Sequence, residues 1–184
     1  MEERNLSNSC SGAQAGKYLT FALGEEEYGL EILKVREIFG YMEITNVPQM
    51  PSYVKGVINL RGKVIPVINL RTKFSIDEIE ISEETCIIVV DSVTDGVHVE
   101  TGVIVDRVSE VLDITSENIE PSPQFGAEVE TNFILGIGKV GDAVKLLLDI
   151  DTVLQDGILE LSNLTNKEDT TEVVEIEAKT LCEV

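Results

Sequence analysis

The spacing of apolar residues constrains this chain most: they come in short alternating or continuous runs rich in β-branched side chains, each closed by Gly, Pro or Asp. In residues 17–24, Leu19, Phe21 and Leu23 fall on one side, and Gly24 with an acidic turn leads into a second run, so this stretch reads as a hairpin. Further strands are expected at residues 57–60, 64–70, 85–91, 97–105 and 143–148. Such spacing suits small closed barrels. A helical period shows near Asp151, with Val153, Leu154, Ile158 and Leu161 on one face, although Gly157 weakens it. Residues 51–56 read as one helical turn, begun by Pro51 and stopped by Gly56.

A weak repeat runs through these strands. Residues 33–39 resemble 106–112, with Val35 matching Val108 and Glu37 matching Glu110, and residues 60–70 resemble the stretch 135–150 at nearly the same offset. Two such matches predict two similar β units in tandem. Outside them, residues 1–16 are polar and read as a flexible lead-in. Residues 155–184 read as a helix end followed by an acidic, disordered tail.

Charge and chemistry narrow the function. A formal charge of −20 argues against binding to phosphate backbones. Residues 34–73 nevertheless hold seven of the fourteen basic residues against only Glu37 and Glu43, and this local +5 suggests a cationic docking band. No run of apolar residues is long enough to span a bilayer. With no leader-like start and only Cys10, Cys86 and Cys182, far apart, a reducing cytoplasm is expected. His98 is the only histidine and stands near no recognisable nucleophile, so no catalytic or metal site is expected, and no cofactor. Cys86 reads as a small buried apolar residue. Gly136, Gly138 and Gly141 spell a dinucleotide-like pattern, but an apolar strand follows them where a helix would be needed, so they are read as a tight hairpin turn.

Three segments carry a far more specific signal: FALGEEEYGLEILKVREI at 21–38, VKGVINLRGKVIPVINLR at 54–71 and TGVIVDRVSEVL at 101–112. In this order they closely resemble the CheW family of bacterial chemotaxis coupling proteins, over residues 17–154. The resemblance implies an all-β fold of two SH3-like five-stranded β-barrels that share an apolar seam and are closed by a short C-terminal helix. It also implies a non-catalytic adaptor coupling the histidine kinase CheA, through its regulatory domain, to the cytoplasmic tips of methyl-accepting chemotaxis receptors. Such an adaptor is cytoplasmic and recruited to membrane-associated receptor arrays. Too few residues follow 154 for a receiver, and no phosphoryl-accepting segment precedes Lys17, so a stand-alone adaptor is expected.

By the same resemblance, receptor binding falls on Ile32, Val35, Glu37, Gly56 and Arg61. Ile32 and Val35 have the alternative of filling a barrel, and Gly56 that of ending a helical turn. Arg61 is the hardest to explain as core, since a buried guanidinium needs a partner. Kinase binding falls on the segment around Phe125. Glu120 stands nearby where relatives can carry a basic residue, which weakens any salt bridge carried over from them.

Overall fold

The computed structural model describes residues 12–123 and 131–155. Alternation puts Leu19, Phe21 and Leu23 of β1 (Gly16–Leu23) on the core, and β2 (Glu26–Glu31) folds back on it. A 3-10 turn, Ile32–Lys34, crosses to the second sheet and β3 (Val35–Gly40). Then come β4 (Val54–Leu60), β5 (Lys63–Asn69), the single-turn helix α1 (Leu70–Lys73), β6 (Cys86–Thr94) and β7 (Val97–Val105). Asp106 crosses back to β8 (Arg107–Ile114), followed by β9 (Ile119–Glu120), β10 (Ile134–Val140), β11 (Ala143–Leu148) and the helix α2 at 150–155.

Turn chemistry sets the hairpins. Arg61 and Gly62 both take positive φ, 51° and 85°, as do Asp95 and Gly96, and a two-residue turn of that hand matches the twist of the strands it joins. Asn59 Oδ1 accepts the Gly62 N–H at 2.8 Å and holds the first of these turns.

The strands form a five-stranded sheet, ordered β3-β6-β7-β5-β4, and a six-stranded one, ordered β8-β1-β2-β11-β10-β9. Each is SH3-like, but neither ladder closes on itself. The two orders match strand for strand, and so do details. Val54/Gly56 and Ile134/Gly136 carry the same bulge, β5 meets β7 in parallel as β11 meets β2, and Thr45 bridges Val57 where β9 pairs with β10. Asn69 Oδ1 caps α1 through Arg71 N, and Asp149 Oδ1 caps α2 through Asp151 N. The predicted repeat is therefore present, but it is not a simple tandem. Hairpin β1–β2, first in the chain, completes the sheet built from the last strands, so each crossover stitches one unit to the other.

The seam between the sheets is the main core. Leu19, Phe21 and Leu30 from one sheet meet Ile68, Ile88, Val90 and Val103 from the other, closed by Ile150, Val153 and Leu154 of α2. Fully burying one such side chain contributes about 1.5–3 kcal/mol. A ring stack, Phe21–Tyr28–Phe74–Phe133, with centroids 5.4–6.0 Å apart, crosses the seam.

Several expectations change here. Residues 51–56 do not form a helical turn: the turn ends at Tyr53 and Gly56 lies inside β4. Only Gly141 of the glycine triad sits in the hairpin turn. Gly136 and Gly138 lie within β10, where an added Cβ would come within 2.7 Å of the Glu120 carbonyl oxygen and 2.9 Å of Ile114 Cδ1. Ala13 already donates its N–H to Leu135 at 3.0 Å, so the chain is held ahead of Lys17. Cys86 is only partly buried, with its Sγ 3.1 Å from the Glu84 carbonyl oxygen. Ile158, Leu161 and the acidic tail lie outside the described residues, as do residues 1–11.

Candidate docking site

The expected receptor-binding residues gather on the five-stranded half. Glu37 projects from β3 and Arg61 from the β4–β5 turn, at opposite edges of the sheet, yet they meet in a two-pronged pair at 2.6 and 2.9 Å. The sheet is thus curved enough for its edges to be joined by side chains. Arg61 is 76 % exposed and Glu37 39 %, so the pair lies in solvent, and the carboxylate beside the guanidinium raises the Arg61 pKa further.

Gly56 has a structural reason for its identity. Its φ is 142°, and a Cβ there would come within 1.9 Å of the Thr45 carbonyl oxygen, so the residue exists to let the 45–46 backbone approach β4. Ile32 and Val35 are partly buried and pack on the seam. The repeat sets Val108 and Val111 of β8 where Val35 and Ile38 lie on β3. Val108 too is packed on the seam, and Ile38 and Val111 are 43 % and 48 % exposed. The sequence echo held this signal at Val108.

The cationic band does not survive folding as a free surface. Lys34 pairs with Asp151, Arg36 with Asp91, Lys55 with Glu78, Arg61 with Glu37, Lys63 with Glu100 and Arg71 with Asp106. Lys73 lies 4.2 Å over the Tyr53 ring. Five of the six carboxylates come from outside the band, which is why a count along the chain could not foresee the neutralisation.

One of these pairs is extended by a third group. Asp91 on β6 takes Arg36, while His98 Nδ1 lies 3.1 Å from its other oxygen. The Arg36 guanidinium, aided by His98 and opposed by burial, holds the Asp91 carboxyl below its usual range. His98 itself is exposed and contacts the Asp91 carboxylate. Among the described residues, no group of three or more His, Cys, Asp or Glu is placed to hold a metal ion.

On the expected kinase face, Glu120 in β9 pairs with Lys139 of β10, so it is engaged within its own sheet. Phe125 lies outside the described residues.

A curved β scaffold that turns an ion-paired, apolar-flanked end toward solvent belongs to the class of docking and scaffolding modules. Comparison with known proteins makes this specific. Residues 17–157 match the CheW-like domain. The chain is 42% identical over 138 residues to the chemotaxis protein CheW of Klebsiella aerogenes, spanning 75% of this chain and 81% of that one. It is 34% identical over 139 residues to the chemotaxis protein CheW of Bacillus subtilis, spanning 75% and 86%. The solved scaffolding protein TtCheW of Thermoanaerobacter tengcongensis superposes with a TM-score of 0.67 at 37% identity, covering 77% of this chain and 93% of that one. This chain belongs to the CheW-like family and is a chemotaxis coupling or scaffold protein.

Proposed function

We propose that the chain is a non-catalytic adaptor that holds the histidine kinase CheA beside the cytoplasmic tips of methyl-accepting receptors, so that receptor state controls the kinase. Residues 17–154 are the coupling unit, held at membrane-associated receptor arrays through its partners. Receptor contact is assigned to the end of the five-stranded half that carries Ile32, Val35, Glu37, Gly56 and Arg61, and kinase contact to the region of Glu120 and Phe125. The observation that carries this reading is Arg61. It sits in a turn, three-quarters exposed, and is oriented by a two-pronged pair with Glu37 while taking no part in any of the described core clusters. A preorganised, exposed guanidinium is the kind of group that anchors an interface.

The test is co-purification with a receptor cytoplasmic fragment and CheA. The wild-type chain forms a ternary complex, and binding to neither partner at native salt would sink the proposal. Arg61→Glu loses the receptor and keeps the kinase and the fold. If instead it unfolds, Arg61 is structural. Phe125→Ser weakens the kinase contact, and unchanged association removes that residue from the site.

A further inference from the structure

The crossovers β2 to β3 and β7 to β8 are equal in length within the repeat, because Leu30 matches Val103 and Val35 matches Val108. Between these anchors, Ile32 matches Val105, Leu33 matches Asp106 and Lys34 matches Arg107. Asp106 turns inward, where it takes Arg71 at 2.6 and 2.7 Å and the Gly24 N–H at 2.6 Å. In the other crossover the inward charge comes one residue later, from Lys34 to Asp151 at 2.7 Å. Leu33 is left 89 % exposed, more than any other large apolar side chain among the described residues.

A lone exposed leucine is ordinary on a protein surface. Leu33 differs in how it is held. Ile32 before it and Val35 after it pack on the seam, and Lys34 is clamped to Asp151, whose other oxygen accepts the Val93 N–H at 2.8 Å. The backbone that presents Leu33 is fixed, so little ordering entropy is lost when a partner covers the side chain. Val93, on the far side of Asp151, is itself 38 % exposed. Beside them Glu31, Asp149, Asp151 and Lys34 line a cavity of about 250 Å³, three carboxylates against one ammonium.

We infer that Leu33 is the apolar knob of the docking surface, inserting into an apolar slot between the helices of the receptor tip, with Lys or Arg flanking that slot. The inference rests on the receptor-coupling reading above. It assigns the protruding contact to Leu33 because Ile32 and Val35 have already buried much of their surface against the seam. With Asp151 paired to Lys34, Glu31 and Asp149 leave the negative charge that a basic flank complements.

The experiment measures binding of the full chain and its variants to a receptor cytoplasmic fragment and, separately, to CheA. Leu33→Asp weakens receptor binding about tenfold or more, Leu33→Met stays within about threefold, and both keep kinase affinity and melting temperature. Receptor binding unchanged in Leu33→Asp while Arg61→Glu loses it overturns the knob and leaves the adaptor reading standing. Loss of kinase binding alone overturns the assignment to the receptor. A wild-type chain that holds the kinase but no receptor fragment overturns both.

Discussion

The outer cores of the two halves occupy matching positions and are filled differently, the six-stranded half keeping a smaller apolar cluster of Tyr18, Ile114 and Leu147 beside buried polar groups. Behind the five-stranded sheet, Ile58, Ile65, Val67, Ile87, Val89 and Ile104 form an aliphatic cluster. The registers match these, in order, to Gly138, Lys145, Leu147, Tyr18, Thr20 and Glu31 in the six-stranded half. Only Leu147 keeps the aliphatic character. Lys145, 5 % exposed, pairs with Glu27; Thr20 donates to the Glu110 carbonyl oxygen at 2.8 Å, and Tyr18 to that of Gln14 at 2.6 Å. Burial first and Glu31 second hold the Tyr18 phenol above its usual pKa. One backbone thus tolerates either filling, provided every buried polar group finds a partner. Gly29 and Gly102, at matching positions, are small for the same reason: a Cβ would meet Leu147 Cδ2 at 2.8 Å or Ile87 Cγ2 at 3.0 Å.

The largest expected difference lies in the two clasps that tie the halves together. Asp106→Ala leaves the Arg71 guanidinium, 10 % exposed, without its carboxylate, and should cost about 4 kcal/mol in urea denaturation. Asp151→Ala, in a pair about one-third exposed, should cost under about 1 kcal/mol. Equal losses would break the distinction between a buried and a wet clasp. Next, Ile58→Ala should cost about 3 kcal/mol through a cavity in the aliphatic core. At its mate, Gly138→Ala need only displace the end of Ile114 and should cost about 1 kcal/mol.

Acid titration comes third. Burial pulls the Asp106 carboxyl up, but Arg71 and the Gly24 N–H outweigh it and set the value below the usual range. Lys145 first, with burial opposing, lowers Glu27 as well. Groups depressed in the folded state contribute fully above their unfolded values and lose that contribution as pH falls through the folded ones. Stability followed by circular dichroism should therefore decline below about pH 4. The smallest effect is expected for Lys145→Ile, which replaces a buried charge with the residue type that Ile65 supplies at the matching position. It should change stability by no more than about 1 kcal/mol and make the acid decline shallower. A loss of several kcal/mol would show that the ion pair is required.

The strand pattern was readable because period-2 alternation needs no knowledge of partners: residues 97–105 and 143–148 match β7 and β11 at both ends. The repeat was readable at Val35/Val108 and Glu37/Glu110. Gly56 defeats a local reading, because Pro51 and Gly56 give the same cue for a turn stop as for a strand that admits another backbone. Of the proposed docking residues, Glu37 and Arg61 are named by resemblance, but nothing local says that they pair.

By itself the sequence determined the all-β class, the doubled unit and the family, since these depend on side-chain periodicity and on motifs contiguous in the chain. Only the tertiary structure decided that β1–β2 completes the distant sheet and that the basic band is neutralised by carboxylates up to 117 residues away. It also turned Leu33 outward while its mate Asp106 turned inward. Such outcomes depend on which strands share a sheet, because burial and charge pairing are properties of neighbours in space, and one-dimensional spacing does not specify them.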